Sequence, residues 1–143
     1  MSRLYLVLFL IFGLAINASA QKQLKKIIAF ADDQYMKGDF IYALEYYKKA
    51  LEKDSNSVKL LWKYAETLKA YKDYPNAETY YAKVYAREQT KVYANSLLNL
   101  ALMQKQNGRY TQALKTLNLS AKKLANKKSS PFYLKTIREI ESC

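Results

Sequence analysis

A pattern of residues that recurs every 34 positions constrains the fold of this chain more than any other feature. Residues 38–50 read GDFIYALEYYKKA, and 34 positions after residue 39 the chain reads DYPNAETYY over residues 73–81. A third copy, GRYTQAL, starts at residue 108 and is offset from the first by two periods plus two residues. We place the two extra residues at positions 87–90, because a longer loop costs little there. Self-similarity at this period predicts a stack of similar structural units.

Apolar residues within each unit follow a helical spacing. Phe40, Leu44 and Tyr47 recur at i, i+4 and i+7, which predicts a helix over Phe40–Lys53 with these residues on one face. Ala43 is a small residue on the packing face of this helix, where two helices must approach closely. Gly38 and Gly108 are the two glycines beyond residue 20, and both stand at the same place in a unit. Glycine tolerates the positive φ that commonly ends a helix. The pattern therefore predicts helix-turn-helix units that turn at these glycines.

Helix-start signals mark the middle unit and the end of the chain. Lys72 stands where the other units have glycine, so we expect the middle turn to close without that help. Asp39 and Asp73 are favourable N-cap residues, and Pro75 suits the first turn of a helix. Near the end of the chain, Ser130 and Pro131 form a hydroxyl cap followed by a proline at the first helical position. These signals predict that one helix begins after Asp73 and another begins after Ser130.

Together these motifs resemble the tetratricopeptide repeat family. The resemblance implies an all-α, right-handed solenoid in which residues 21–128 form three helix-turn-helix repeats, at about residues 24–57, 58–91 and 94–127, followed by a capping helix over residues 129–143. It also implies a concave groove, lined by the first helix of each repeat, that binds a segment of another protein. Carried over residue by residue, the groove positions are Lys25, Ile28, Asp32, Tyr35, Lys59, Trp62, Glu66, Lys69, Asn95, Leu98, Leu102 and Lys105.

Trp62 is the strongest candidate for a binding anchor in this groove. It falls outside the packing face that Leu61, Ala65 and Leu68 predict for its helix. A tryptophan offers a large apolar contact and one N–H donor, which suits an interface. The alternative is that Trp62 packs against a neighbouring repeat, and the sequence leaves both interpretations open.

Some members of the family clamp a C-terminal carboxylate with Lys and Asn side chains at set groove positions. In this chain those positions hold Ile28, Asp32, Lys63, Asn95 and Asn99. Because Ile28 and Asp32 break the pattern, we do not expect a carboxylate clamp. Four of the 14 tyrosines, at positions 46, 47, 80 and 81, repeat with the period, so we expect them to pack between helices with their hydroxyls at the rim.

The first 20 residues have the features of a secretory signal peptide. Arg3 precedes an apolar run over residues 4–16, and residues 18–20 read ASA, a small-residue cleavage site. A membrane anchor is the alternative, but the apolar run is short for a bilayer span. We therefore predict cleavage before Gln21 and export to the periplasm or the outer membrane.

The net charge of the chain indicates which classes of partner it would attract. The full chain carries 24 Lys and Arg against 12 Asp and Glu, a net charge of +12, and loss of Arg3 with the signal peptide leaves +11. Such a charge favours acidic protein segments or anionic envelope polymers. Export makes nucleic acid a less expected partner, and we expect membrane association only through a larger assembly. Binding of an anionic polymer, either nucleic acid or a wall polysaccharide, is the alternative function.

The residues needed for most catalysis are missing from the sequence. The chain has no histidine and one cysteine, so histidine-based triads and the common zinc sites are excluded. The adjacent acids Asp32 and Asp33 point to different faces of a helix. We therefore predict no enzymatic activity, no cofactor, no metal and no small-molecule substrate.

A narrower resemblance concerns the segments WKYAE (residues 62–66), AYKDY (residues 70–74), AETYYAKV (residues 77–84) and the final IESC. They are similar to the N-terminal repeat region of exported Bacteroidetes envelope proteins that continue into a β-propeller and an OmpA-like domain, some of which serve type IX secretion and gliding. The resemblance implies that the natural protein continues past Cys143, the single cysteine, which has no intrachain disulfide partner. The predicted function is a non-enzymatic protein-interaction scaffold in the cell envelope.

Overall fold

The computed structural model describes residues 2–88 and 91–142, with side chains from residue 19 onward. Within these residues the chain forms seven α-helices, one 3-10 turn and no strand, which confirms the all-α expectation. The helices are α1 (Ser2–Met36), α2 (Phe40–Lys53), α3 (Val58–Ala70), α4 (Tyr74–Glu88), α5 (Ser96–Gln106), α6 (Tyr110–Lys123) and α7 (Pro131–Glu141), with the 3-10 turn at Ala125–Lys127 between the last two.

Helices that follow one another in the chain pack against each other, from α1 through α7. Ring contacts show that the first pair runs antiparallel, because Tyr35 meets Phe40 beside the turn (ring centroids 5.7 Å apart) and Phe30 meets Tyr46 farther away (4.3 Å). A stack in which each helix packs mainly on its chain neighbours is the arrangement of a repeat protein.

Small residues let these helices approach closely. Ala43 and Ala77, which the period places at equivalent positions, are both fully buried, as the sequence predicted. Larger side chains fill the space between the pairs, and Tyr81, Leu97 and Leu117 are among the most deeply buried. Burying each such side chain contributes roughly 1.5–3 kcal/mol, so the core is distributed along the stack.

The three turns within the helix pairs share one backbone conformation. Gly38 and Gly108 have φ values of +79° and +74°, and Lys72 has a φ of +66°. In each turn this residue donates its N–H to the carbonyl three residues earlier, and the next residue donates to the carbonyl five residues earlier. This is the Schellman arrangement that ends helices. The middle turn therefore closes in the same way as the others, with a lysine in a conformation that favours glycine.

Replacing Lys72 with glycine should therefore stabilise the protein by about 0.5–1 kcal/mol, because the left-handed conformation costs glycine no steric strain. The midpoint of thermal unfolding, followed by circular dichroism, should rise by about 2–5 °C. The matched control is Gly38→Ala, whose added Cβ would meet no atom within 4 Å, so it carries the conformational cost alone. It should lower the midpoint by a similar amount. A Lys72→Gly variant that melts at or below the wild-type temperature would contradict this explanation.

The predicted caps are present at three helix starts. An Asp39 carboxylate oxygen accepts the Tyr42 N–H at 3.3 Å, and the equivalent Asp73 oxygen accepts the Asn76 N–H at 3.3 Å. The Ser130 hydroxyl accepts the Tyr133 N–H at 3.1 Å, directly before α7. These hydrogen bonds satisfy backbone donors that a helix leaves unpaired at its start.

The predictions for the two ends of the chain concern a signal peptide at the start and a single cysteine at the end. Helix α1 continues without a break past the predicted cleavage position after Ala20, and the signal peptide stays a prediction. Among the described residues, no helix combines the length and the apolar character that crossing a bilayer requires. Cys143 lies outside the described residues.

Candidate functional site

A cavity of about 410 Å³ opens on the surface formed by α1, α2 and α3. Four of the predicted groove residues line it, and three further residues complete its wall. The lining consists of Asp32, Tyr35, Met36, Tyr47, Trp62, Lys63 and Glu66. The structure thus brings together four of the eight groove positions predicted in the first two repeats.

A second depression, of about 540 Å³, lies between the C-terminal parts of α2 and α4. Lys48, Lys83 and Arg87 contribute to its lining, together with residues of the α2–α3 turn. It is the larger of the two, but its lining has one aromatic ring, that of Tyr80, whereas the cavity beside Trp62 is lined by an indole and two tyrosine rings. We therefore take the cavity beside Trp62 as the candidate site.

Trp62 packs within the stack and also lines the cavity. Its ring stacks on Tyr93 with centroids 4.4 Å apart and planes 15° apart, and it meets Tyr81 edge-on at 5.5 Å. These contacts hold the indole against α4 and against the segment that connects α4 to α5. The side chain is nevertheless only partly buried and lines the cavity. The indole is therefore a rigid apolar surface that remains accessible from the cavity.

Asp32 joins three helices at the floor of this site. The Tyr47 hydroxyl donates to an Asp32 carboxylate oxygen at 2.5 Å, and the Lys63 ammonium donates to the same oxygen. Asp32 lies on α1, Tyr47 on α2 and Lys63 on α3. The carboxylate therefore ties the first helix pair to the second.

Glu66 repeats this arrangement one helix pair later. The Tyr81 hydroxyl donates to Glu66 Oε1 at 2.5 Å, and Asn99 Nδ2 donates to the same oxygen at 2.9 Å. Lys69 Nζ donates to the other oxygen at 2.6 Å. Both carboxylates accept from a tyrosine 15 residues later and from the first helix of the next pair. We call the two groups, one around Asp32 with Tyr47 and one around Glu66 with Tyr81, the carboxylate–tyrosine rungs.

The third pair has no such rung. Leu102 and Leu117 stand where the period would place the carboxylate and the tyrosine. Leu117 is fully buried, and Leu102 packs against it in the same apolar cluster. Apolar side chains of suitable volume can replace a buried polar pair when both partners are exchanged. The rungs are therefore a property of the first two pairs, where the cavity lies.

The rungs keep their tyrosines as hydrogen-bond donors. Burial raises the pKa of the Tyr47 hydroxyl above its usual value, and the hydrogen bond to Asp32 raises it further. Burial also raises the pKa of Tyr81, with the charge of Glu66 adding to the effect. The nearby Tyr35 has its pKa raised by burial and then by the charge of Glu66. All three phenols are therefore protonated at neutral pH, and Tyr47 and Tyr81 can donate to the carboxylates.

Two of the positions that form a carboxylate clamp in other repeat proteins are engaged within this chain. Lys63 binds Asp32, and Asn99 binds Glu66. Their donors are directed to internal carboxylates and not to a free position at the cavity. This geometry gives a physical reason for the expectation that no carboxylate clamp forms here.

The prediction that Leu98 lies on an accessible groove surface is wrong. Leu98 is only 2% exposed and packs with Ala101 and Leu117, and Ile140 of the last helix covers the same cluster. Lys105 is also engaged by this helix, because its Nζ donates to Glu139 Oε2 at 2.9 Å. The capping helix α7 thus occupies the place where the third repeat would present a groove.

The remaining predicted groove residues are spread around the cavity or beneath it. Lys25 is exposed in the second half of α1, and Lys59 is exposed near the start of α3. Ile28 is partly buried and packs on the first core cluster. Lys69 binds Glu66, and Asn95 precedes α5 without capping it through its side chain. None of these five residues lines the cavity.

The sequence prediction missed three of the residues that line the cavity. Met36 is 82% exposed at the end of α1, while Tyr47 and Lys63 belong to the rung around Asp32. A signal was available for Tyr47, because Asp32 and Tyr47 have the same spacing as Glu66 and Tyr81. Within the described part of the chain, no group of three possible metal-binding side chains comes together.

A buried carboxylate holds the segment that carries Tyr93. Glu88, at the end of α4, accepts the backbone N–H groups of Val92 at 2.7 Å and Tyr93 at 3.2 Å. Its other oxygen accepts from the hydroxyl of Ser96, the first residue of α5, at 3.2 Å. Because Tyr93 stacks on Trp62, Glu88 positions one support of the candidate site.

No known protein family and no curated protein matches this chain. Solved structures do match it. The type III secretion translocator chaperone SycD of Yersinia enterocolitica superposes with a TM-score of 0.73 at 17% identity, over 90% of this chain and 96% of that one. PcrH of Pseudomonas aeruginosa superposes with a TM-score of 0.72 at 13% identity, over 85% of this chain and 91% of that one.

The TPR2B domain of yeast Sti1, solved in complex with pHsp70, also superposes, with a TM-score of 0.65 at 16% identity, over 81% of this chain and 97% of that one. PcrH has been solved with the chaperone binding region of PopB, and SycD with a peptide of the translocator YopD. At these identities the similarities establish the fold and nothing further. The chain has an all-helical fold like that of tetratricopeptide-repeat proteins.

Proposed function

We propose that this protein is a non-enzymatic scaffold that binds a segment of another protein at the cavity beside Trp62. The observation that carries the proposal is the cavity itself, which combines apolar side chains from two helices, Tyr35 and Met36 on α1 and Trp62 on α3, over a fixed polar floor. Concave sites with apolar walls and a few oriented polar groups are the usual form of binding sites. The proposal includes export and a location in the cell envelope.

The polar groups of the cavity favour an apolar anchor on the partner. The Asp32 charge is offset by Lys63, and the Glu66 charge is offset by Lys69. A charged partner side chain would have to disrupt one of these pairs, whereas an apolar or aromatic side chain could rest on Trp62 and Tyr35. The exposed Lys25 would suit acidic residues that flank such an anchor.

The similar structures support a protein partner. SycD, PcrH and the Sti1 domain have each been solved with a segment of another protein. The shared fold makes the same use of the fold reasonable in this chain, where the cavity lies between its first two helix pairs.

Trp62→Ala should weaken partner binding by about tenfold to a hundredfold, because central aromatic anchors carry much of the energy of an interface. The tagged full chain and its variants would be used to capture partners from the native envelope fraction, and each captured protein would be titrated against them. The matched control is Tyr110→Ala, which removes an exposed aromatic ring at the start of α6, away from the cavity. Equal affinities for wild type and Trp62→Ala, with unchanged helical content, would remove Trp62 from the site.

A second candidate function is binding of an anionic polymer through the basic surface. The observation that favours it is a run from residue 89 to residue 138 that contains ten Lys and Arg and no Asp or Glu. Polymer binding through charge weakens steeply with added salt, whereas contact with an apolar cavity does not. Binding that is retained at high salt therefore supports a protein partner at the cavity. Binding that is lost at high salt supports an anionic polymer on the basic surface.

A further inference from the structure

The alternating direction of the helices collects particular helix ends on one edge of the stack. The part of α1 around residues 22–26 and the starts of α3 and α5 lie on the same edge as the ends of α2, α4 and α6, because neighbouring helices run antiparallel. A direct contact supports this placement, since Arg87 near the end of α4 donates to the Ser55 carbonyl oxygen in the α2–α3 turn at 3.0 Å.

This edge carries most of the excess positive charge. Residues 22–26, 53–59 and 122–128, together with Arg87 and Lys91, hold eleven Lys and Arg and a single Asp, and all eleven basic side chains are exposed. We call this surface the basic edge. The ion pairs found within the described residues involve none of these eleven side chains. Two acids adjoin the edge: Glu52 is exposed beside Lys53, and Glu88 is buried beneath the edge and bound to backbone donors.

The opposite edge of the stack is close to neutral. It contains the turns within the helix pairs, at residues 33–39, 69–75 and 105–111, and the end of α7 at residues 138–142. These segments hold six Lys and Arg against five Asp and Glu. The contrast shows that the basic edge is a localised surface and not merely a consequence of the overall composition.

The chemistry of the basic edge favours a lipid surface over a nucleic acid. The three segments and the two flanking residues contain no Trp, Tyr or Phe on which a base could stack. The single guanidinium, on Arg87, is already bound to the Ser55 carbonyl and to Asn56 Oδ1. The other ten cations are lysines, which act as mobile point charges suited to a field of head groups.

The position of the first lysines adds a second reason. Lys22, Lys25 and Lys26 follow the predicted cleavage position after Ala20, so an exported chain keeps them at the basic edge. Clusters of lysines near a membrane surface are attracted to anionic lipids. We propose that the basic edge docks on a bilayer surface rich in anionic phospholipid. This contact is direct and does not depend on the binding of a partner at the cavity.

The test compares the binding of the full chain to vesicles of phosphatidylcholine alone and to vesicles with added phosphatidylglycerol. Because residues 4–16 could enter either bilayer, the quantity measured is the ratio of the two partition coefficients. The wild-type ratio should be high at low salt and fall towards one at high salt. Changing Lys122, Lys123, Lys127 and Lys128 to Gln should lower the ratio about a hundredfold or more, since each lysine near such a surface contributes about fivefold.

The control variant changes Lys37, Lys72, Lys115 and Lys135 to Gln, which removes the same charge from exposed positions outside the basic edge. Its ratio should stay within about tenfold of wild type. Equal losses in the two variants would show that only net charge matters and would overturn the proposal. A wild-type ratio near one, or tighter binding to single-stranded RNA than to the anionic vesicles, would overturn it as well.

Discussion

Replacing Glu66 with leucine should lower the free energy of unfolding by about 3–5 kcal/mol, because it removes the acceptor that two buried donors share. Glu66 accepts hydrogen bonds from Tyr81 on α4 and Asn99 on α5, and it also pairs with Lys69. Tyr81 is fully buried, and Asn99 is nearly so. Their donors would lose an acceptor that water cannot replace, and each such loss costs about 1–3 kcal/mol.

The third helix pair supplies the matched control for this variant. It has Leu102 and Leu117 where the second pair has Glu66 and Tyr81, so an apolar version of the rung is compatible with the fold. Adding Tyr81→Phe to Glu66→Leu removes the stranded hydroxyl and should recover about 1–2 kcal/mol in urea unfolding. If Glu66→Leu lowers the free energy of unfolding by less than about 1 kcal/mol, the rung does not hold the pairs together. The same conclusion follows if the added Tyr81→Phe recovers none of the lost free energy.

Glu88→Ala should destabilise the protein by about 2–4 kcal/mol, the second-largest effect that we expect. The variant strands the backbone donors of Val92 and Tyr93 and the hydroxyl of the fully buried Ser96. These groups lie in the connection between the second and third helix pairs. The loss should therefore loosen Tyr93 from Trp62 in addition to lowering stability.

Fluorescence separates the local effect from the global one, because Trp62 is the only tryptophan in the chain. Its emission should shift to longer wavelength in folded Glu88→Ala as the stacked Tyr93 ring is lost. The control is Glu45→Ala, which breaks the exposed pair with Lys49 and should cost less than about 0.5 kcal/mol with no spectral change. Wild-type emission from Glu88→Ala would mean that Glu88 does not position Tyr93.

Local sequence signals predicted the helices and their turns well. The period placed Gly38 and Gly108 in turns that need a positive φ, and it placed Ala43 on the face where helices meet closely. It also identified the caps at Asp39 and Asp73. Such features depend on a few neighbouring residues, so one sequence is enough to detect them. The same locality explains why Phe40–Lys53 was predicted with its correct bounds.

The rungs could not be predicted in the same way, because each joins side chains from three different helices. Asp32 and Glu66 were expected to face a partner, and Tyr47 and Tyr81 were expected to place their hydroxyls at the rim. The structure instead directs the hydroxyls to the carboxylates. The common spacing of 15 residues was visible in the sequence, but the contact depends on how the helices pack.

The error at Leu98 has a related cause. The sequence predicted a last helix with one apolar face, and α7 is present. The position of that helix relative to α5 is set by tertiary contacts, including Ile140 on the cluster around Leu98 and Glu139 on Lys105. Periodicity within a helix does not indicate which neighbour its apolar face will cover.

Site-directed photocrosslinking from the cavity is the most direct test of whether a segment of another protein binds beside Trp62. A photoreactive residue would replace Met36, which lines the cavity and is largely exposed, and in a second variant Leu134, which is exposed on α7. We expect position 36 in cells to crosslink to one discrete protein segment, identifiable by mass spectrometry, and Trp62→Ala to lower the yield of this crosslink about tenfold or more. Identical products from both positions, or a crosslink yield at position 36 that Trp62→Ala leaves unchanged, would contradict binding at the cavity.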